Sequence, residues 1–389
     1  MRTSLTSVTL IIPIALSGLV DLPRLLTFGP VSSLALLTTF YASSATLLWL
    51  ARPVLSRQAI SVVAPLAAFL VWAFASLFWS APTIRGVQNL LVVSSFLVLI
   101  LLASGKIADK KNRRLIERAL AYAIWLAVSL YAISIFRSGW GAESILGSRS
   151  FALFALLGVA WYLASWRYGS QRGLWWAAAI TLMIGASLSR MALVVALALF
   201  PLSQISFRSV WRWLRVGLLI AVLVGVSQLA LTYVEPVRAR FLEPSAVEIG
   251  GIQINTSGRD VAWPVVLDSW KESPWIGKGA GAAEEVTTRY FPDFGQPHND
   301  YLRVLHDYGV IGLGFWLLTF VNLLGVTFTA WVRSASNGSP DVRLHLAAFL
   351  SVVVVVLTMI TDNVMIYVFV MAPLGVLVGA SLTIRGQEH

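Results

Sequence analysis

The chain has 389 residues, of which 58% are hydrophobic and 12% charged, with a formal net charge of +11 and no cysteine. Soluble domains carry roughly 25% charged residues, so an ordinary soluble protein is excluded, and the lack of cysteine excludes disulfides, thiol nucleophiles and thiolate metal sites. The basic residues lie mainly in short loops between apolar runs, which argues against a nucleic-acid partner and is typical of membrane topology.

Apolar runs that approach the roughly 20 residues needed to cross a bilayer recur along the chain. The first, residues 5–20, is followed by a charged, proline-containing segment and not by a small-residue cleavage site, so a retained helix is expected. The predicted fold class is an all-α polytopic membrane protein of about 12 transmembrane helices. The predicted spans are 5–20, 31–50, 60–79, 86–104, 114–136, 150–166, 173–188, 190–205, 213–233, 309–332, 342–361 and 363–382.

Four loops are basic and contain few or no acidic residues, and the positive-inside rule places them in the cytoplasm. They are residues 105–114, 167–172, 206–215 and 333–343. The second and third can lie on one side only if two spans separate them, so we predict two short helices that meet at Arg190. On this topology both termini are cytoplasmic and Arg190 faces outside.

Residues 234–308 form the longest hydrophilic stretch. The parity of the spans places it outside, and long ordered loops commonly carry function. A short helix is predicted within it at residues 263–270. The chain is thus divided into transmembrane helices 1–9 (residues 1–233), a large outer loop (234–308) and helices 10–12 with a cytoplasmic tail (309–389).

The segment QPHNDYLRVLHDYG, residues 296–309, joins this loop to the next span. Asn299 and Asp300 favour the first turn of a helix, which would continue until Gly309 allows a change of direction. His298 would then lie at a helix N-terminus near the outer membrane face. The helix dipole favours a neutral imidazole there, and a neutral imidazole can accept a proton. His298 is therefore a candidate base; an interfacial histidine that only caps the loop is the alternative.

Several arginines face outside on this topology. Arg190 lies in a tight turn between short spans, Arg259 precedes the predicted loop helix, and Arg149 begins a span. Guanidinium groups around one outer cavity would suit a lipid diphosphate, which they can bind through paired hydrogen bonds. Arg85 and Arg137, at the ends of outer loops, are expected to extend toward water or lipid phosphate.

Other chemistries lack their sequence patterns. There is no Asp-x-Asp pair and no His and carboxylate cluster with metal-ligand spacing, so neither a metal nor a cofactor is predicted. The glycine-rich segment PWIGKGAGAA, residues 274–283, lacks the context and the ending of a phosphate loop, so a turn or close-packing function is predicted. Transfer from an anionic lipid donor fits better, because arginines can neutralise a diphosphate leaving group while one base deprotonates an acceptor hydroxyl.

Four segments carry a resemblance to a known family: SLSRMALVV, SGRDVAW, SPWIGKGAG and PHNDYLRVLHDYGVIGLGFW. Over about residues 187–316 their order and spacing resemble the bacterial O-antigen ligase and polymerase superfamily, most of all its exopolysaccharide-polymerase-type members. The resemblance implies a C-type membrane glycosyltransferase fold that takes glycan from undecaprenyl diphosphate without a metal. It also implies that His298 serves the acceptor and that Arg190 and Arg259 hold the diphosphate. Weaker site candidates are Asn299, Asp300, Arg303 and Arg149, the last because many relatives have an asparagine near this position.

We therefore expect a glycosyltransferase of the bacterial cytoplasmic (inner) membrane with its active site on the periplasmic face. A polymerase would use another lipid-linked repeat unit as acceptor and a ligase would use lipid A–core; overall likeness favours a polymerase slightly. The expected partners are the undecaprenyl-diphosphate-linked donor, the acceptor glycan, the lipid bilayer and polysaccharide-assembly proteins. A transporter or flippase for the same lipid-linked glycan is the alternative, although its usual inverted repeats are not evident. A non-catalytic scaffold is a third interpretation.

Overall fold

The structure is a computed structural model, and it describes residues 2–22, 27–28, 31–32, 57–80, 83–106, 110–206, 209–242, 246–249, 252–255, 258–292 and 295–385. The helices are α1 (Arg2–Ser17), α2 (Arg57–Ala75), α3 (Ile84–Lys106), α4 (Lys110–Ser138), α5 (Ser148–Arg167), α6 (Gln171–Ala186), α7 (Arg190–Gln204), α8 (Val210–Tyr233), α9 (Glu235–Leu242), α10 (Arg259–Trp270), α11 (Ala282–Tyr290), α12 (Asp300–Ser336), α13 (Val342–Thr358) and α14 (Val368–Arg385). Two small antiparallel hairpins pair β1 (Thr27–Phe28) with β2 (Val31–Ser32) and β3 (Ala246–Ile249) with β4 (Ile252–Asn255).

Six helical segments in the described part are long and apolar enough to cross a membrane: Ala59–Phe78, Ile84–Gly105, Arg113–Ser138, Ser148–Arg167, Val210–Tyr233 and Asp300–Ser336. Shorter apolar helices cover Arg190–Gln204, Val342–Thr358 and Val368–Leu382. The protein is thus a helical membrane protein, as predicted, while the count of twelve spans stays a prediction. The predicted span 31–50 falls outside the described residues except for Val31 and Ser32, which form β2 and not part of a helix.

Helix α5 lies at the centre of the bundle, with 15 of its 20 residues buried. A helix that is apolar on all sides can be buried on all sides, and α4, α6, α7 and α13 pack around it. Helix α8 is the opposite case, because Val216 is its one buried residue. Its outward apolar side chains suit a helix that is surrounded by lipid, where apolar exposure has no cost.

The chain turns sharply between α6 and α7. Leu188 has a φ of 58°, in the left-handed region, and Ser189 precedes Arg190, the first residue of α7. The prediction of two short helices that meet at Arg190 is confirmed.

The two ends of the bundle differ in how their charges are arranged. At one end, here called the basic end, the contacts join Arg113 to Asp341, Arg343 to Glu117 and Arg167 to the carbonyl oxygen of Ser203. The first two contacts join the predicted loop 105–114 and the start of α4 to the loop 333–343, and the third joins the loop 167–172 to the end of α7, which leads into the fourth loop. The Trp331 indole donates to Tyr168 Oη at 2.7 Å and so links the two groups. Helices α5 and α12 finish at the basic end, so their first residues, Ser148 and Asp300, lie at the opposite end, here called the site end.

The large hydrophilic stretch contains regular structure: α9, β3, β4, α10 and α11. The predicted helix at residues 263–270 is confirmed, although α10 begins earlier, at Arg259. Helices α10 and α11 pack on the start of α12 through Val266, Ala283 and Leu302. This part of the stretch therefore forms a folded cover over the start of α12, at the site end.

A bend in α12 anchors this cover. Gly309 interrupts the helix with φ 68° and ψ −172°, as predicted, and the chain around Trp275 passes against it. A Cβ atom at Gly309 would lie 2.2 Å from the carbonyl oxygen of Trp275. The bend leaves the Asp307 carbonyl oxygen to accept a hydrogen bond from the Gly279 N–H at 2.7 Å. The close-packing function predicted for the glycine-rich segment is thus confirmed.

Candidate active site

His298 lies on the loop immediately before α12. Its φ of 48° places a non-glycine residue in the left-handed region, which such residues adopt infrequently and often at functional sites. Asn299 caps the helix, since its Oδ1 accepts a hydrogen bond from the Leu302 N–H at 2.9 Å. The Trp263 indole donates to the Pro297 carbonyl oxygen at 2.8 Å. The cap and helix α10 therefore fix the backbone on both sides of His298, at the helix N-terminus that the sequence predicts.

Asp300 ties the start of α12 to the connection between α13 and α14. Its N–H donates to the Met359 carbonyl oxygen at 2.9 Å, and its Oδ2 accepts from the Met365 N–H at 2.8 Å. The side chain is fully buried. These contacts hold residues 361–363 beside His298, so the contacts of Asp300, like those of Asn299, are with backbone groups that shape the site.

Three polar side chains surround the His298 ring. Asn363 Nδ2 lies 2.8 Å from Nδ1, Arg149 Nη1 lies 3.1 Å from the same atom, and Asp362 Oδ1 lies 4.0 Å from it. Arg303 Nη2 donates to Asn363 Oδ1 at 3.1 Å. Because arginine can only donate, the Asn363 amide must turn its NH₂ group toward His298. Nδ1 is then an acceptor, and the neutral ring carries its proton on Nε2.

Arginines from different helices converge on this histidine. Arg149 Nε lies 3.6 Å from Asp362 Oδ2, and Arg259 Nη2 donates to the Thr361 carbonyl oxygen at 3.0 Å. Arg303 is buried, and its Nη2 also contacts Gln296 Oε1. Its Nε and Nη1 have no hydrogen-bond partner within the part of the chain that the structure describes, so two buried donors remain available to a ligand.

The pKa of Arg259 reports how closely the cations are grouped. Burial lowers this pKa from 12.5 to about 10, with further lowering by Arg149, Arg190 and Arg240, against which Asp362 acts. The structure therefore brings Arg190 and Arg259, the two predicted diphosphate ligands, within electrostatic reach of each other and of Arg149. Arg240, on α9, joins this group, although no pattern in the sequence points to it.

The same surroundings set the protonation of His298. Burial lowers its pKa to about 3, and the positive charges of Arg149, Arg259 and Arg303 act in the same direction. The ring is therefore neutral near pH 7. Burial raises the pKa of Asp362, and Arg149 opposes that rise. An excess of cations over carboxylates favours an anionic ligand, which arginine binds well.

Residues 174–317 match the sequence model of a family described as O-antigen ligase. This segment of the chain is similar to that family. The resemblance to the O-antigen ligase and polymerase superfamily is thus confirmed. A search of curated proteins found no match.

Only some of the site residues lie inside the segment that matches the O-antigen ligase family. His298, Arg190, Arg259 and Arg303 lie inside the matched segment, whereas Arg149, Asp362 and Asn363 lie outside it. The structure thus adds three residues from α5 and the α13–α14 connection. The sequence makes Arg149 a weak candidate and does not indicate Asp362 or Asn363. The one available signal was a polar Asp-Asn pair between two apolar runs.

Proposed function

We propose that the chain is a membrane glycosyltransferase that moves a glycan from undecaprenyl diphosphate to a sugar hydroxyl, as a polysaccharide or O-antigen polymerase or as an O-antigen ligase. The observation that carries this proposal is the convergence of Arg149, Arg259 and Arg303 on the neutral ring of His298. The arginines supply a site for a diphosphate, and the histidine supplies a group that can contact an acceptor hydroxyl.

The charges at the basic end indicate on which side of the membrane the site lies. The basic end carries the loops that the positive-inside rule assigns to the cytoplasm, so we place the site end in the periplasm. Helix α1 finishes beside Gly147, whose N–H donates to Asp21 Oδ1 at 3.0 Å, and α14 begins next to Tyr367. In this proposal the start of α1 and the end of α14 therefore both face the cytoplasm.

The arginines would act on the leaving group. In the transfer, the acceptor oxygen bonds to the anomeric carbon while the bond from that carbon to the diphosphate oxygen breaks. Negative charge builds up on the departing undecaprenyl diphosphate. Guanidinium groups already in place stabilise that charge without reorganising, and Arg303 offers two buried donors for the same purpose.

Donor binding would also prepare His298 as the base. In the structure Nδ1 accepts from Asn363, which leaves a proton on Nε2, the wrong tautomer for a base at that atom. A diphosphate that draws Arg149 away from Asp362, now 3.6 Å apart, would free the carboxylate. Asp362 could then accept a hydrogen bond from Nδ1–H, which leaves Nε2 to take the acceptor proton. Acceptor activation would thus depend on a bound donor.

Reconstitution tests this function. The purified protein in liposomes is given an undecaprenyl-diphosphate-linked repeat unit with EDTA present, and the products are separated on a gel. A ladder of longer lipid-linked chains supports a polymerase, and transfer that requires lipid A–core supports a ligase. Within the described residues, no three His, Asp or Glu side chains are grouped as metal ligands, so we expect EDTA to have no effect.

The same liposomes distinguish the transporter alternative. A donor that crosses the bilayer without elongation, under conditions where neither acceptor is used, would replace the glycosyltransferase by a flippase. Near-normal glycan output from variants of Arg259 and His298 would instead favour a scaffold.

A further inference from the structure

An open cavity lies at the site end, between the start of α3 and helix α11. It has a volume of about 360 Å³ and is lined by Thr83, Arg85, Glu284, Glu285, Thr288 and Arg289, among others. Ligand pockets start at about 300 Å³, so this one can hold a small polar molecule or one sugar of a longer chain.

Glu284 is the unusual residue of this cavity. It is 5% exposed, and its Oε1 accepts a hydrogen bond from Arg85 Nη1 at 2.5 Å. Its Oε2 has no hydrogen-bond partner among the described residues. A buried acceptor without a donor is costly and requires an explanation. The atom therefore calls for a ligand that donates hydrogen bonds.

Contacts with Asp307 and with the start of α3 fix the backbone around Glu284. Asp307 caps the first turn of α11, accepting from the Gly281 N–H at 3.1 Å and from the Ala283 N–H at 2.7 Å. A Cβ atom at Gly281 would lie 2.1 Å from Thr83 Oγ1, so the loop passes directly over the start of α3. Glu284 consequently has a rigid support, as a binding residue requires.

The side chains on the solvent side of the cavity are, by contrast, free to move. Arg85 covers the Glu284 carboxylate, and its own side chain is 71% exposed. The prediction that Arg85 extends to water or lipid phosphate therefore misses its ion pair with Glu284. The Glu285 and Arg289 side chains, also well exposed, pair with each other at 2.9 Å. An incoming ligand can displace Arg289 at little cost, since an exposed pair such as Glu285 with Arg289 is weak.

The cavity is connected to His298 through one short piece of chain. Thr288, which lines the cavity, donates from Oγ1 to the Gly295 carbonyl oxygen at 3.3 Å, and His298 follows three residues later. This hydrogen bond links the end of α11 that lines the cavity to the loop that carries His298.

We propose that this cavity binds the acceptor glycan, with Glu284 accepting hydrogen bonds from sugar hydroxyls. The proposal rests on the glycosyltransferase function above and names the subsite that selects the acceptor. A neutral, hydroxyl-rich ligand fits because the vacant atom is an acceptor and the lining offers hydroxyls, carboxylates and guanidinium groups together. A repeat-unit oligosaccharide and a core oligosaccharide share this chemistry, so the cavity is the place where polymerase and ligase would differ.

The test measures binding without turnover. The full-length protein in detergent is titrated with two lipid-free probes: repeat-unit oligosaccharide released by mild acid from its lipid carrier, and core oligosaccharide released from lipopolysaccharide. The Glu284→Gln variant keeps the oxygen that faces Arg85 and replaces the vacant acceptor by a donor. We expect it to raise the Kd of the bound probe about tenfold, the effect of losing one hydrogen bond to a charged group.

The matched control is Glu272→Gln, an exposed glutamate that pairs with Lys278 outside the cavity. It should bind as the unmodified protein does, and equal melting temperatures of all three proteins confirm the fold. Unchanged affinity in Glu284→Gln, or failure of both probes to bind the unmodified protein, overturns the proposal. A probe that binds at Glu284 but is never extended or transferred overturns the proposed function and leaves this subsite intact.

Discussion

Arginine is concentrated at both ends of the bundle, but it is partnered differently. At the basic end Arg343 Nη2 lies 2.8 Å from Glu117 Oε2, and Arg167 donates to the Ser203 carbonyl oxygen at 2.6 Å and stacks over Trp331. At the site end the charges of Arg149 and Arg259 both act on the buried carboxylate of Asp362. Arginines that each have their own partner hold helices together, whereas several arginines grouped around a buried carboxylate are suited to bind an anion, and strongly perturbed pKa values mark such places.

The strongest test of this contrast is His298→Ala. General-base catalysis contributes about 10²- to 10⁴-fold, so we expect transfer by reconstituted protein to fall about 1,000-fold with little change in melting temperature. His345→Asn at the basic end is the matched control: His345 Nδ1 lies 2.7 Å from Ser381 Oγ, so this variant should lose stability but keep its transfer rate per folded molecule. Equal losses of transfer in the two variants would contradict a chemical role for His298.

Asp362→Asn tests whether donor binding prepares the base. The amide keeps the size of the carboxylate but cannot favour Nδ1–H on His298, so we expect kcat to fall about 100-fold while the KM for the donor changes little. If the KM for the donor rises and kcat holds, Asp362 serves to position Arg149 and the proposed change of tautomer is wrong.

Arg259→Lys separates charge from geometry at the site end. Lysine keeps the positive charge but loses the planar pair of donors that matches phosphate oxygens, so the KM for the donor should rise about tenfold. Arg238→Lys, in an exposed pair with Glu235 on α9, serves as the control and should leave the KM unchanged. Identical donor KM values for both variants would argue that Arg259 supports only the Thr361 carbonyl.

Contacts between residues that are far apart in the chain are the part of the structure that the sequence does not predict. The helical membrane class follows from hydropathy, the turn at Arg190 from the positions of the basic loops, and the bend at Gly309 from a single glycine, and all three are observed. The meeting of His298 with Arg149 and Asp362 does not follow, because each contact spans more than 60 residues and depends on how α5, α12 and α13 pack. No periodicity encodes such packing.

A similar limit applies to the outer loop. Its length and mixed charge predicted a functional segment, but not that Asp307 would cap α11 or that Glu284 would be buried beneath Arg85. Those contacts arise because the glycine-rich segment crosses the bend in α12, a tertiary event whose partners are far apart in sequence. The sequence showed that close packing was needed but not what would be packed.

The dependence of transfer on pH is a smaller effect, and it tests whether the diphosphate binds next to His298. With a pKa lowered to about 3 by burial and by Arg149, Arg259 and Arg303, the ring of the free enzyme stays neutral from about pH 5 to 8, so kcat/KM should be flat there. Bound diphosphate offsets those positive charges and raises the pKa of His298. The decline of kcat at low pH should therefore lie at a higher pH than the decline of kcat/KM. Coincident declines would mean that the diphosphate does not bind next to this ring.

The smallest expected effect comes from the basic end. Arg343→Ala removes the pair with Glu117 and the contact with the Trp161 ring, 5.0 Å from the guanidinium carbon. An ion pair of this exposure contributes at most about 1 kcal/mol, so the melting temperature should fall slightly while transfer is unchanged. Arg149→Ala should do the reverse, because it removes one of several like charges around Arg259 and lowers transfer without lowering the melting temperature. If both variants lose stability alike, the arginines of the two ends serve the same structural purpose, and the excess of cations at the site end is not reserved for a ligand.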